Sequence, residues 1–419
     1  MATEDKGPQS MLRRRLLMGM AAAPFAGLIP RTAFAGTPAT SAVNTTGLAA
    51  TDTEVTVGIL HSVTGTMAIS ETGSVEAEKL AIQQINDAGG VLGRKIKIIQ
   101  EDGASDWPTF AEKAKKLLVN DHVAAIFGCW TSASRKAVLP VLEQYNGMLY
   151  YPTFYEGLEQ SKNVIYTGQE ATQQILSSLN WINKEKGAKT FYLIGSDYIW
   201  PRTSNKIARK HIENHLTGCK VVGEEYFPLG STQFNSVINK IKLKKPDVIF
   251  ADVVGGSNVA FYKQLKAAGI NLDKQLLLTI SVTEDEIDGI GGENIAGAYA
   301  SMKYFESLKN PNNEGFVSAF HKMWGDKTVI GDVTQAAYLG PHLWKLTAEK
   351  AGSFDVDKIA AASPGIEFKG APEGYVKIHD NHHLWSRSRI GRAKADGQFD
   401  LIYETPELIE PNPFPKGYQ

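Results

Sequence analysis

The 419-residue chain has little cysteine and almost no net charge, and each shortage excludes a class of protein. Its two cysteines, Cys129 and Cys219, are too few for a disulfide framework. Its 44 basic and 45 acidic residues give a formal net charge of −1, without the broad basic field that nucleic-acid binding needs. We therefore expect no nucleic-acid partner. The length and the 43% of hydrophobic residues suit about two globular domains.

Motifs for nucleotides and metals are also missing. The segment from Gly58 to Gly65 lacks both glycine-rich phosphate-binding patterns, so nucleotide binding is not expected. His211 and His215 lie at i and i+4, but isoleucine rather than glutamate follows His211, which is not the zinc-protease arrangement. The histidines of 379–383 could supply metal ligands, yet they lie between two strand-like runs where Asp and Asn favour turns. The sequence predicts neither a metal site nor a cofactor.

The first 35 residues have the pattern of an export signal. Three arginines at 13–15 precede an apolar run at 16–29, and Ala33-Phe34-Ala35 is a small-x-small cleavage site. The run is short and is broken by Pro24, so we expect no stable membrane insertion after cleavage. The predicted location is the periplasm, and the arginines leave both the twin-arginine and the general export routes open. Residues 36–53, rich in Thr, Ala, Ser and Gly, predict a flexible tether.

The rest of the chain alternates β-rich runs with helical periodicity. A strand at 55–60 and a helix at 73–88 form a first βα unit, and the same rhythm restarts with a strand at 190–195. This alternation predicts an α/β protein with two parallel sheets. We expect a first lobe at 54–170 plus about 304–362, and a second lobe at 171–303 plus about 363–419.

Polar and aromatic side chains gather where five of the predicted strands end. Ligands of open α/β sheets bind beyond the carboxyl ends of the strands. Taken alone, each hydroxyl is more typical of a helix cap, and only the convergence favours a site. Hydroxyls, helix-start N–H groups and aromatic walls suit a small, uncharged polar ligand. The predicted ligand-binding residues are Ser62, Trp130, Thr131, Ser132, Tyr151, Thr153, Tyr155, Tyr198, Val254 and Thr283.

Four segments make the chain resemble a known family: 86–93, 128–138, 155–159 and 195–198. They are similar to the periplasmic substrate-binding proteins for urea and short-chain amides, within a wider group that binds branched-chain amino acids and includes an amide-sensing regulator. The resemblance covers residues 54–415. It implies a type I periplasmic binding fold, in which two Rossmann-like lobes joined by three crossovers surround a central cleft. It also implies that the ligand lies against a first-lobe wall formed by Trp130, Ser132, Tyr151 and Thr153. Tyr198 of the second lobe would close on this wall.

The implied function is binding rather than catalysis. The chain would capture urea or a short-chain amide and deliver it to an inner-membrane ABC permease. Two short segments, 152–154 and 253–255, are closer to the amide sensor, so a branched-chain amino acid or another small polar solute stays open as the ligand. A regulator would lack the export segment. A cysteine amidase acting through Cys129 is a further alternative, but the sequence places no base beside that thiol, and a small buried cysteine is the plainer interpretation.

Overall fold

A computed structural model describes residues 37–419, so the export segment and its cleavage site lie outside the described residues. The strands within this range are β1 Glu54–His61, β2 Lys95–Asp102, β3 Ile126–Gly128, β4 Leu149–Tyr151, β5 Val164–Tyr166, β6 Thr190–Ser196, β7 Lys220–Phe227, β8 Val248–Asp252, β9 Leu276–Thr279, β10 Tyr299–Met302, β11 Glu367–Phe368, β12 Val376–Ile378, β13 Leu384–Trp385, β14 Arg389–Ala393 and β15 Phe399–Glu404.

The helices follow the strands in the predicted alternation, with a π-helical turn at Thr172–Leu176 before the fifth. They are α1 Thr40–Val43, α2 Ala68–Asp87, α3 Trp107–Val119, α4 Ser132–Tyr145, α5 Ser177–Lys186, α6 Ile199–His215, α7 Asn235–Lys244, α8 Ser257–Ala267, α9 Glu284–Ile290, α10 Gly292–Ile295, α11 Pro311–Trp324, α12 Asp332–Ala351 and α13 Val356–Ala362. No helix within residues 37–419 combines the length and apolar composition needed to cross a membrane.

The first lobe is built on a five-stranded parallel sheet in the order β2-β1-β3-β4-β5. Its inner strands are apolar because helices cover both faces of the sheet. Val57 and Ile59 of β1 pack with α2 and α12 on one face, whereas Leu60 packs with α3 and α4 on the other. The carboxyl ends of these strands lie at one edge, where the predicted first-lobe residues follow them.

The second lobe holds a seven-stranded sheet in the order β15-β14-β10-β9-β8-β6-β7. Strands β6 to β10 pair in parallel, and β14 and β15 add an antiparallel edge. The chain passes between the lobes after β5, after β10 and again before β14. The prediction of an α/β fold with two lobes, three crossovers and a central cleft is therefore confirmed.

One predicted boundary needs correction, because the small sheet β11-β12-β13 belongs to the first lobe and not to the second. Val376, Ile378 and Leu384 are buried in the same apolar cluster as β1, α2 and α12. A bridge between Tyr166 and His383 also joins this region to β5. The expected second-lobe portion at 363–419 therefore enters the second sheet only at β14. Three very short strands carry no periodicity that would assign them to either lobe.

The expected flexible tether is also corrected by the structure, since residues 37–53 are held against the first lobe. Val43 is buried in the first-lobe core. The buried guanidinium of Arg94 donates to the carbonyl oxygens of Pro38 and Thr51, at 2.8 and 2.6 Å. Asp355 accepts from the backbone N–H of Thr45 at 2.8 Å and anchors the segment a second time. The small-residue composition of residues 37–53 gives no sequence signal for these long-range contacts.

Candidate functional site

The wall of the first lobe begins where β3 ends. Gly128 has a φ of 148°, and a Cβ there would lie 2.0 Å from the carbonyl oxygen of Leu60, so only glycine fits. The chain then turns through Cys129, with a φ of 60°, and reaches the buried Trp130. Thr131 is the N-cap of α4, and its hydroxyl accepts from the Ser134 N–H at 3.0 Å. Thr131 therefore positions the helix and has a structural use of its own.

Ser132 lies in a buried ion network at the start of α4. Its hydroxyl donates to Glu156 at 2.5 Å and accepts from Arg135 at 3.0 Å. Arg135 also contacts Glu156 at 3.3 Å and Glu159 at 2.7 Å. All three nitrogens of this guanidinium are thus used within the protein. Arg135 is not free to pair with a ligand carboxylate.

Two tyrosine rings hold this guanidinium in place. Its central carbon lies 4.8 Å from the ring centre of Tyr151 and 4.5 Å from that of Tyr155. Burial alone would raise the pKa of Glu159, but Arg135 and Lys136 lower it to about 2. Glu159 therefore stays ionised in the folded protein at neutral pH. The charged network and the two tyrosine rings thus support the first-lobe wall from within the lobe.

Tyr155 is placed in the packed interior of the first lobe. Burial lowers the pKa of His383 to about 3, so its imidazole is neutral. Nδ1 of His383 lies 2.8 Å from the carbonyl oxygen of Asn381 and must donate, which leaves Nε2 as an acceptor. The Tyr155 hydroxyl lies 2.5 Å from that Nε2 and donates to it. With Tyr166 stacked against both rings, Tyr155 supports the wall from behind.

Trp130 and Thr153 offer polar atoms that the protein itself does not use. The Tyr151 hydroxyl donates to the Trp130 carbonyl oxygen at 2.6 Å and fixes the backbone there. Trp130 Nε1 and Thr153 Oγ1 are both buried and have no hydrogen-bond partner. Because buried polar groups are nearly always paired, these two atoms at the strand ends are candidates for contact with a bound ligand. The structure therefore brings together the predicted wall residues Trp130, Tyr151 and Thr153.

Aromatic rings carry the wall across to the second lobe. Trp130 contacts Phe154 with ring centres 5.7 Å apart, and Phe154 contacts Trp200 of α6 at 5.5 Å. The ring of Tyr198, the residue before α6, lies 6.5 Å from that of Trp200. Tyr198 is 6% exposed, and burial raises its pKa well above the usual value, so its hydroxyl is neutral. The two lobes meet through this series of rings.

Three of the predicted residues have hydrogen-bond partners in loops and caps. Ser62 accepts from the Ser105 N–H at 3.0 Å, which ties two first-lobe loops together. The backbone N–H of Val254 donates to the Ser196 hydroxyl at 3.1 Å. Thr283 forms a capping box with Glu286 at the start of α9. Their distances show structural roles at the strand ends, and none leaves an unpartnered side-chain atom.

Sequence reasoning missed a charged cluster beside this wall. His61 ends β1, and its two ring nitrogens lie 3.3 Å from Glu71 and 3.0 Å from Glu78 of α2. Burial alone would lower the pKa of His61, but Glu78 and Glu71 raise it to about 9, so the imidazole is charged. The signal was available, because glutamates seven residues apart lie on one helix face. Trp107 had no comparable local signal.

The nucleophile and metal alternatives find no support in the described chain. Cys129 is fully buried, and burial raises the pKa of its thiol, which disfavours the reactive thiolate. Cys219 is likewise buried, and both cysteines are free. His379 pairs with Glu410 at 3.0 Å, while His383 pairs with Tyr155. Across residues 37–419, no group of three His, Cys, Asp or Glu side chains is arranged to hold a metal ion.

A two-lobed α/β molecule with an aromatic and polar wall between its lobes has the form of a solute-binding protein. Residues 55–419 match the sequence model of the periplasmic binding protein domain, and the chain belongs to this family. A solute-binding protein of an ABC transporter from R. palustris, solved in complex with 4-hydroxybenzoate, is similar in fold with a TM-score of 0.77 and 22% identity. That likeness covers 87% of this chain and 100% of the other.

Two curated relatives differ greatly in how much of the chain they match. A Leu/Ile/Val-binding protein homolog 7 from Brucella suis is 23% identical over 375 residues, which are 85% of this chain and 93% of the relative. A limonene hydroxylase from Geobacillus stearothermophilus is 35% identical over only 124 residues, 30% of this chain and 23% of that protein. The chain therefore spans less than a quarter of the hydroxylase, and that match does not establish a common activity.

Proposed function

We propose that this protein is a periplasmic substrate-binding protein that captures urea or a short-chain amide and delivers it to an inner-membrane ABC permease. The observation that supports this proposal is the pair of buried, unpartnered atoms Trp130 Nε1 and Thr153 Oγ1. The indole nitrogen can only donate, whereas the hydroxyl can donate and accept. An amide presents a carbonyl acceptor and N–H donors, which match this pair. Its planar shape also suits the aromatic wall.

The charges around the wall favour a neutral ligand. A carboxylate ligand would need a free cation or several free N–H donors to replace its hydration. Arg135, the guanidinium beside Ser132, is already shared between Glu156 and Glu159. Binding a carboxylate there would break a buried ion pair, which is costly because it leaves an unpaired charge. Urea and acetamide make no such demand.

A branched-chain amino acid is the second candidate ligand. The similarity to a Leu/Ile/Val-binding protein homolog over 85% of the chain supports it. In that case the backbone N–H groups at the start of α4 would have to hold the carboxylate, since the guanidinium is occupied. A sensor role is less consistent with the arginine-rich, apolar segment at 1–35. Transport or sensing without turnover agrees with the buried, protonated Cys129 thiol.

A thermal-shift screen tests the ligand class directly. The mature chain is heated with urea, acetamide, butyramide, leucine or 4-hydroxybenzoate, with Thr153→Val as the matched variant. A true ligand at about 100 times its Kd stabilises the fold by about 2.7 kcal/mol. We expect stabilisation by urea or an amide in the wild type and a weaker effect in the variant. Stabilisation by leucine or the benzoate alone would contradict the amide assignment, and ammonia release would contradict the binding role.

A further inference from the structure

Trp107 is a large aromatic residue placed at the outer edge of the cleft. It opens α3, one residue after the N-cap Asp106, and 36% of it is exposed. Its ring centre lies 6.3 Å from that of Tyr198, which belongs to the second lobe. In the sheet orders, β2 is the first-lobe edge farthest from the crossover after β5, so this contact lies opposite that crossover. This contact ends the series of rings at its exposed member.

The loop that carries Trp107 is fixed against its own lobe. Ala104 and Ser105 both have positive φ values, of 52° and 56°, which most side chains avoid. Ser105 compensates for this strain, because its hydroxyl donates to the Thr64 carbonyl oxygen at 2.8 Å and accepts from the Met67 N–H at 3.0 Å. The backbone that leads into Trp107 is therefore anchored to the first lobe, and contact with Tyr198 depends on the second lobe moving towards it.

A second contact across the cleft lies beside this one. The Gly256 N–H donates to the Thr66 carbonyl oxygen at 3.2 Å. At Gly255, with a φ of 60°, a Cβ would lie 2.8 Å from that same oxygen and 2.9 Å from the Met67 sulfur. The two backbones can approach this closely only because the second lobe presents glycine there. Trp107 and Gly255 thus lie on the same rim of the closed cleft.

We infer that Trp107 is the outer gate of the ligand site, a positioning residue that covers Tyr198 when the lobes close and slows ligand release. This inference rests on the proposed binding function, and it concerns closure rather than ligand identity. Opening the cleft would expose both the Trp107 and the Tyr198 ring to water, which opposes release. The gate need not touch the ligand, because Tyr198 and Trp200 lie between Trp107 and the first-lobe wall.

The test measures ligand dissociation by stopped-flow mixing for the wild type, Trp107→Ala and Trp107→Phe. Tyr145→Ala is the matched control, because Tyr145 lies at the other end of the same lobe and is 38% exposed. We expect Trp107→Ala to raise the ligand dissociation rate about tenfold, while the association rate changes less than about threefold. Trp107→Phe keeps an aromatic ring, so its dissociation rate should stay close to that of the wild type. An unchanged dissociation rate in Trp107→Ala, or an equal rise in Tyr145→Ala, would overturn the gate.

The screen against five solutes separates the two proposals. If the wild type binds leucine or the benzoate, the amide assignment fails and the gate is measured with that ligand. If it binds none, X-ray scattering of the ligand-free proteins replaces dissociation, with Gly255→Ala as the reference for lobes that cannot close. The gate then predicts a larger radius of gyration for Trp107→Ala than for Trp107→Phe. The same radius of gyration for both ligand-free variants would overturn it.

Discussion

The two lobes differ in how they accommodate buried carboxylates near the cleft. In the first lobe, Glu159 is paired with Arg135, and its pKa falls to about 2. In the second lobe, Asp252 is fully buried at the end of β8, and burial raises its pKa well above the usual value. One oxygen accepts from Asn205 at 3.3 Å, and the other has no partner. The first-lobe wall thus contains a buried ion pair, whereas burial in the second lobe favours the neutral form of Asp252.

This difference indicates which lobe is preorganised for the ligand. A buried guanidinium with two carboxylates and two flanking rings leaves few alternative arrangements. The second lobe contributes aromatic rings, Tyr198 and Trp200, that contact the first-lobe wall across the cleft. A preorganised first-lobe wall and the uncharged aromatic rings of the second lobe suit a ligand whose own polar atoms are uncharged. The predictions below test each half of this contrast.

The largest expected effect comes from removing the cation of the first-lobe network. Arg135→Ala leaves Glu156 and Glu159 buried without their partner, and we expect a loss of about 3 to 5 kcal/mol in the free energy of unfolding. Guanidinium chloride is the appropriate denaturant, since urea is a proposed ligand. Lys136→Ala removes a partly exposed partner of Glu159 and should cost less than about 1 kcal/mol. Equal losses in both variants would contradict a buried, ring-clamped network.

The pH dependence of stability should have opposite signs in the two lobes. The pKa of Glu159 is lowered on folding, so its contribution is present above the unfolded value of 4.5 and is lost as the pH falls towards 2. Glu159→Gln should therefore cost on the order of 3 kcal/mol at pH 7 and much less near pH 2.5. The measurement is guanidinium chloride unfolding across this range. A constant difference would show that Glu159 is not held ionised by Arg135.

Asp252 gives the opposite test in the second lobe. Its pKa is raised on folding, so the stability that it contributes is present at low pH and is lost as the pH rises above about 4. Asp252→Asn should gain stability relative to the wild type between pH 4 and pH 8, because the amide has no proton to lose. The same unfolding measurement applies. If the stability of Asp252→Asn relative to the wild type instead rose as the pH fell, Asp252 would be ionised and paired in the folded protein.

The predicted fold followed closely from the sequence, and its failures have physical causes. The strand predicted at 55–60 is observed as Glu54–His61, and the helix predicted at 73–88 is observed as Ala68–Asp87. In contrast, the segment at 37–53 and the strands β11 to β13 depend on long-range burial that leaves no local periodicity. Residues distant in the chain decide where such pieces pack.

For the predicted site, sequence reasoning could place side chains at the strand ends but could not assign their roles. The strand-end rule located Trp130, Tyr151 and Thr153, because parallel strands bring their ends to one edge. It could not separate ligand-facing hydroxyls from caps, and Thr131 and Thr283 are observed as caps. Assignment of a hydroxyl depends on which partners lie within hydrogen-bond distance, and those partners come from other elements. The role of Ser132 in an ion network is an example.

Two first-lobe hydroxyls should respond differently to substitution. Thr153→Val removes an unpartnered hydroxyl at constant shape, so it should weaken ligand binding by about tenfold, or about 1.4 kcal/mol, with little change in Tm. Ser132→Ala should also lower the free energy of unfolding by about 1 to 3 kcal/mol, because Glu156 and Arg135 each lose a partner. Calorimetric titration and thermal unfolding measure both. Unaltered affinity in both variants would place the ligand elsewhere.

At Tyr198 the expected change in stability is again small, and the main consequence is conformational. The ring is 6% exposed, but its neighbours are Trp107 and Trp200, which lie on opposite sides of the cleft. A tyrosine in a lobe core would cost roughly 3 to 5 kcal/mol on truncation, as large aromatic residues do. Because Tyr198 packs between lobes, Tyr198→Ala should leave most of the ligand-free stability intact and abolish the ligand-induced compaction seen by small-angle X-ray scattering. Tyr198→Phe keeps the ring and should retain compaction. A wild type that binds a ligand without compaction would show that the second lobe is not a moving cover.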